Sequence, residues 1–187
     1  MAIGEAPTIL SKKQNDFCEI RLVDPDDNDV PAGEPGELAI RGPTLFSGYW
    51  GNDEANKEAF RNGWFHMGDV FRRTPEGLLD FVDRVKYMIK SGGENIYPAE
   101  IEKCIMNDAR ILDVVVVRKF DKRWGEVPVV FAARNDDNLK EDDVMTMCRG
   151  RIANYKLPKE IHFIGLEEIP RSTSGKIQRH IMDDRLK

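Results

Sequence analysis

Cysteine and histidine are scarce, three of each in 187 residues. Cys18, Cys104 and Cys148 are odd in number, show no CxxC spacing and have no histidines clustered beside them. That excludes a disulfide framework and gives no metal site to propose; three reduced thiols, some of them core filler, are expected. Positive charge is short as well: 28 Lys and Arg stand against 33 Asp and Glu, for a net charge of -5, and no basic tail gathers what there is. Electrostatically driven nucleic-acid binding is disfavoured on that balance. No apolar run nears the roughly 20 residues that a membrane-spanning helix needs. Met1–Leu10 lacks the basic segment and apolar stretch of a secretory leader, so the expected location is the cytoplasm. What is present is a hydrophobic fraction of 41%, enough for a globular core and against bulk disorder.

The chain changes character near Asp83. Before it, short strands alternate with turns. Residues 18–24 alternate apolar and polar side chains and end in the turn formers Asp24-Pro-Asp-Asp-Asn-Asp29, and Gly36–Arg41 supplies the return arm of a hairpin. Asp53 is placed to cap a short helix running to Phe60, and two further strands, 64–71 and 78–83, flank the turn Thr74-Pro75-Glu76-Gly77. Beyond Asp83, helices and strands alternate. Pro98 suits a first helical position, with Ile101 and Ile105 one turn apart and an end near Asn107. The run Val114–Val117 is β-branched and continuously apolar, the pattern of a strand covered on both faces, and 127–133 is similar. A helix over 142–154 and a strand over 161–164 follow. The order helix, strand, strand, helix, strand predicts a small α/β sandwich of about 100 residues.

Three segments carry candidate chemistry. In Gly63-Trp-Phe-His-Met-Gly-Asp69, a carboxylate follows glycine at a strand end, a placement suited to accepting hydrogen bonds from ribose hydroxyls. In 81–102, the charged stretch Asp83-Arg84-Val85-Lys86 leads to Ser91-Gly92-Gly93, whose adjacent glycines permit close backbone approach but do not match GxGxxG. In Pro170-Arg-Ser-Thr-Ser-Gly-Lys-Ile-Gln-Arg179, Ser-Gly-Lys invites a phosphate-loop reading. Pro170 and Ile177 stand where that motif needs Gly and Ser or Thr, so it is rejected. What remains is Lys176 on a small, polar, mobile loop. Taken singly, each segment has a plainer reading: a turn-capping aspartate, a tight hairpin, a solvated lysine.

Taken together and in order, the three resemble the adenylate-forming superfamily, and in detail its fatty acyl-CoA synthetases. Supporting phrases are Gly36-Glu-Leu-Ala-Ile-Arg-Gly-Pro43, Ser47-Gly-Tyr-Trp50, residues 89–102, Trp124-Gly-Glu126 and Tyr155-Lys-Leu-Pro158. The resemblance implies an α+β chain: residues 1–85 as the β-rich end of a large N-terminal domain, its β-barrel subdomain, then 86–187 as a small mobile C-terminal domain, hinged at Lys86. It further implies that Asp69 and Arg84 bind the ribose side of ATP, that Gly92 lines the tunnel for the pantetheine of CoA, and that Trp124 lies near the CoA adenine. Lys176 becomes the catalytic cation that meets the carboxylate and α-phosphate during adenylation. Mg²⁺ is expected with ATP, and no metal ligands are assigned to this chain.

Met67 stands where the family has Thr, and Tyr87 where many relatives have Asp. The family's phosphate loop, adenine pocket and acyl pocket have no counterpart here, so the expectation is a C-terminal fragment, inactive alone, of a ligase joining a carboxylic acid to CoA. Two other readings stand beside it: an adenylation enzyme loading a carrier protein, and a non-catalytic interaction module of the same fold. The acyl chain and the oligomeric state are not readable from these residues.

Overall fold

Alternation around Leu22 and Leu38 yields the antiparallel pair β1 (Glu19–Val23) and β2 (Pro35–Arg41), with Leu22 opposite Leu38. The structure is a computed structural model that describes residues 11–186, so Met1–Leu10, the segment read for a leader, lies outside the described residues. The chain divides into two compact units, Met1–Lys86 and Tyr87–Lys187. Both are built on sheets with short helices, an α+β architecture.

In the first unit the strand order is β1, β2, β4 (Trp64–Arg73), β3 (Phe60–Arg61), with β5 (Leu79–Arg84) also on β4. All pairs are antiparallel. Leu22, Leu38, Phe71 and Leu79 form its core. Helix α1 spans Asp53–Ala59, but its cap is Asn52, whose side chain accepts from the Ala55 amide at 3.0 Å. Asp53 is instead the first helical residue, where its charge favours the helix N-terminus.

The ladder between β2 and β4 is broken where it matters. Glu37 pairs with Val70 and Ala39 with His66, so that Leu38 alone faces Met67, Gly68 and Asp69. Gly68 has φ +72, a left-handed conformation glycine adopts without steric cost. Such bulges re-aim side chains at functional edges.

The second unit has a mixed sheet. Strand β9 (Gly125–Arg134) pairs antiparallel with β8 (Ile111–Asp121) and parallel with β10 (Glu160–Phe163). The small hairpin β6 (Ile89–Ser91) and β7 (Glu94–Ile96) joins β9 at Ser91 and Gly125. The valine run of β8 is covered on both faces. Val114 and Val116 enter a core with Ile101 and Ile105 of α2 (Pro98–Ile105) and Val144 and Cys148 of α3 (Glu141–Cys148), whereas Val115 and Val117 enter a second core with Ile169 and with Met182 of α4 (Arg179–Asp184).

Helix α3 is shorter than the periodicity of 142–154 predicts. Its cap Arg149 turns extended and Gly150 takes φ +74, which stops the helix although Ile152 continues the apolar stripe. Helix α4 has no counterpart in the sequence reading. No helix among the described residues is long and apolar enough to cross a membrane.

Candidate functional site

Asp69 and Arg84 are cross-strand partners on β4 and β5, and Arg84 Nε lies 2.6 Å from Asp69 Oδ1. Oδ1 is buried, and the Arg84 guanidinium is the cation set against it. Asp69 is thus a largely buried carboxylate whose charge is met by the Arg84 guanidinium. The side chain of Arg84 is 49% exposed, so its guanidinium remains open to solvent. A hydroxyl donor suits this pair of groups.

Behind the bulge stands Glu37. Its carboxylate accepts from Arg61 Nη2 at 2.7 Å and from the Gly68 amide at 3.1 Å, and meets His66 Nδ1 at 3.3 Å. His66 is buried, with Nε2 3.7 Å from Asp27 Oδ1. Glu37 therefore fixes the backbone immediately before Asp69. Glu37, Arg61 and His66 are functional supports that sequence reasoning assigned no role. Glu37 is 24 residues from Arg61 and 29 from His66, and no local spacing marks the set.

Lys86 is exposed and sits in a single 3-10 turn, Val85–Tyr87, where one unit passes into the other. In the second unit, Gly92 and Trp124 come together. The Gly92 amide donates to the Trp124 carbonyl at 2.8 Å, and a Cβ on Gly92 would fall 2.7 Å from Trp124 Cε3. The turn that carries Trp124 is held by Asp121, whose Oδ1 accepts from the amides of Arg123 and Trp124 at 2.8 Å each; those donors hold its carboxyl below the usual range. Arg123 lies over the indole at 4.6 Å, and the ring stays 41% exposed. Glu126 adds a tie, its Oε2 accepting from the Lys90 amide at 2.8 Å. The result is a flat, cation-backed aromatic surface beside a side-chain-free backbone, which suits a planar ring and a slender chain.

Lys176 occupies a third segment. The loop expected to be mobile is a hairpin closed on itself: Ser172 N donates to Lys176 O at 2.8 Å, Gly175 N to Ser172 O at 2.8 Å and Gln178 N to Pro170 O at 2.8 Å. Gly175 takes φ +79 at its tip, and Lys176 is exposed on the return arm. Lys176 makes no ion pair among the described residues, and these residues hold no group of three or more metal-ligating side chains.

Comparison with known proteins gives the chain a family. Residues 11–50 match the AMP-binding enzyme family and residues 100–176 the AMP-binding enzyme C-terminal domain. A long-chain-fatty-acid–CoA ligase of Escherichia coli is 41% identical over 89% of this chain and 29% of its own length. An indoleacetate–CoA ligase of Aromatoleum aromaticum is 43% identical over 87% of this chain and 32% of its own. Among solved structures, o-succinylbenzoate CoA synthetase of Bacillus subtilis, in complex with an acyl-adenylate intermediate, superposes with TM-score 0.79 at 32% identity, covering 90% of this chain and 34% of that one. The chain thus spans about a third of the length of the relatives it matches. It belongs to the AMP-binding, adenylate-forming enzyme family and carries that family's C-terminal domain.

Proposed function

We propose that the chain is the C-terminal portion of an AMP-forming acid:CoA ligase that uses ATP with Mg²⁺ to activate a fatty acid and then transfers the acyl group to CoA. In this reading residues 1–85 close the large domain as part of a β-barrel subdomain, 86–187 form the mobile small domain, and the portion alone is inactive. The observation that carries the reading is the cross-strand pair of Asp69 and Arg84, a carboxylate 18% exposed with the Arg84 guanidinium 2.6 Å from its Oδ1. A ribose offers two hydroxyl donors that such a carboxylate can accept.

Adenylation joins the substrate carboxylate to the α-phosphorus and expels pyrophosphate, with charge accumulating on phosphate oxygens. Lys176 is the cation for those oxygens; removing one preorganised partner of this kind costs roughly 3–4 kcal/mol of transition-state stabilisation. Mg²⁺ would accompany the nucleotide and offset phosphate charge, and no residue of this chain is assigned to hold it. For the second step the small domain turns about Lys86, withdrawing Lys176 and presenting Gly92 to the pantetheine arm, with Trp124 near the adenine of CoA. Rotation about a few residues is an ordinary mode of domain motion. An indoleacetate–CoA ligase and an o-succinylbenzoate CoA synthetase match about as much of this chain as the fatty-acid ligase does, so fatty and aryl acids must be compared directly.

The test is made in the full-length enzyme with fatty and aryl acids side by side. Lys176→Ala is expected to lower pyrophosphate exchange by on the order of 10²–10³ and to spare thioester formation from supplied acyl-adenylate. Asp69→Ala is expected to raise the KM for ATP, through loss of charged hydrogen bonds contributing roughly 1.5–3 kcal/mol. Equal loss in both half-reactions for the lysine variant removes its assigned role, and turnover confined to aryl acids removes the fatty substrate.

A further inference from the structure

Three cations lie along the Lys176 hairpin and the helix it enters, and the fold treats them differently. Arg179 is tied to Glu102 at 2.6 Å. Arg171 is tied to Asp113 on β8, while Lys176 makes no ion pair among the described residues. The division leaves the lysine as the uncompensated charge of the segment.

The Arg171 tie is more than a charge pair. One arm of the guanidinium, Nη2, donates to Asp113 Oδ2, and the other, Nη1, donates to the Gly175 carbonyl at 2.6 Å. That carbonyl belongs to the peptide unit whose nitrogen is Lys176 N. Asp113 is itself held, with Oδ1 accepting from the Val114 amide at 2.9 Å. It stands at an irregularity of the β8 and β9 ladder, where Ile111 pairs with Arg134 and Asp113 with Ala133, so that Leu112 is extra. An extra residue turns the neighbouring side chain to a new direction. Here the turned residue is Asp113, and its direction is toward the hairpin. The backbone bonds from Ser172 and Gln178 close the hairpin on itself but leave its orientation to the sheet open. Ile177 and Ile169 give its base a packing contact with the second core, which is non-directional. Arg179, bonded to Glu102, anchors the exit of the hairpin, and the two directional bonds through the planar fork of Arg171 add the constraint at the Gly175–Lys176 peptide itself.

We propose that Arg171, braced by Asp113, is a positioning residue for Lys176: it clamps the Gly175–Lys176 peptide to strand β8 and so sets where the lysine ammonium is delivered. The proposal rests on the role given to Lys176 above. Arg171 is 45% exposed, so its pairing contributes little to global stability and the clamp is separable from folding.

The experiment measures pyrophosphate exchange and thioester formation from supplied acyl-adenylate in the full-length enzyme carrying Arg171→Ala, Arg171→Lys or Asp113→Asn, each with Lys176 intact and in a Lys176→Ala background. Arg171→Ala is expected to lower the kcat of adenylation by about 10- to 100-fold, since small misplacements of a reacting group cost that much, with the KM for ATP and the second half-reaction nearly unchanged. Arg171→Lys, which keeps the charge but reaches only one partner at a time, is expected to recover part of the loss. Asp113→Asn should lose less than Arg171→Ala. In the Lys176→Ala background none of the three should subtract further. Full adenylation by Arg171→Ala, or the same loss with and without Lys176, overturns the clamp. If Lys176→Ala alone leaves adenylation intact, the lysine role fails, and the clamp is judged on the 187-residue chain by amide exchange at Gly175 and Lys176. Faster exchange there in Arg171→Ala upholds it, and unchanged exchange overturns it.

Discussion

Trp124 lies directly over the backbone of Gly92: its Cε3 atom is 2.7 Å from where a Gly92 Cβ would be, and its carbonyl accepts the Gly92 amide at 2.8 Å. Gly92 also has φ +60, so two independent constraints, one steric and one conformational, demand glycine there. Gly93 beside it has φ +90 but nothing within 4 Å, so only conformation constrains it. The pair of glycines in the sequence therefore conceals two different requirements.

Gly92→Ala is expected to push the indole aside and to strain the hairpin by about 1–2 kcal/mol, the cost of a left-handed residue with a Cβ. Gly93→Ala should cost about the same in stability but leave Trp124 in place. With Gly92 in the pantetheine path, Gly92→Ala should lose thioester formation while Gly93→Ala keeps most of it. Indole fluorescence and the two half-reactions, compared at equal thermal stability, distinguish them; identical profiles would show that Trp124 is not what Gly92 serves.

Glu37→Gln tests the support behind Asp69. The carboxylate takes donors from Arg61 and Gly68 and faces His66, so its neutral amide should lose roughly 1–3 kcal/mol through weakened charged hydrogen bonds. The expected outcome is a lower melting temperature of the 187-residue chain together with a raised KM for ATP in the full-length enzyme. A lower melting temperature with an unchanged KM would confine Glu37 to stability.

Local pattern made part of this legible. The valine run of β8 announced a strand buried on both faces, and two separate cores meet its alternate residues. Pro98 and the Ile101 and Ile105 pair announced α2. What stayed hidden depends on partners distant in sequence. The bulge at Met67–Asp69 exists because β2 and β4 pair around it, and Glu37 reaches Gly68 from 31 residues away. Asp113 and Arg171 are 58 residues apart. Asn52 takes the cap from its neighbour Asp53, and Gly150 ends α3 before its apolar stripe ends, two contests between local signals that periodicity does not decide.

Lys86→Pro addresses the proposed pivot. Lys86 occupies the middle of the 3-10 turn Val85–Tyr87. Proline there fixes φ near -65° and disfavours the helical region that Val85 now occupies, so it restricts the turn two residues beyond Arg84. The expected outcome is retained pyrophosphate exchange with a loss of acyl-CoA formation. Proportional loss of both on one preparation would remove Lys86 from the pivot role.

Cys148 yields a prediction about pH. It is fully buried among Ile101, Ile105 and Val144, and burial first, then the nearby Cys104, pushes its thiol up to about 11 from 9.0. A thiol raised in the folded state stays protonated there after the unfolded chain has begun to lose its proton. Well below pH 9 the thiol is protonated in both states, and the stability of the second unit is unaffected by its ionisation. Between pH 9 and about 11 only the unfolded state releases the proton, so stability falls as pH rises through that window. Cys148→Ala should flatten that part of the profile while lowering stability at neutral pH through the lost packing. Urea midpoints for both proteins at pH 7, 9 and 10.5 measure the difference, which cancels the lysines and tyrosines that titrate in the same range. Native Cys148 should also resist iodoacetamide at pH 8 while the half-buried Cys18 is alkylated, and equal labelling of the two by peptide mass would contradict the burial that raises Cys148.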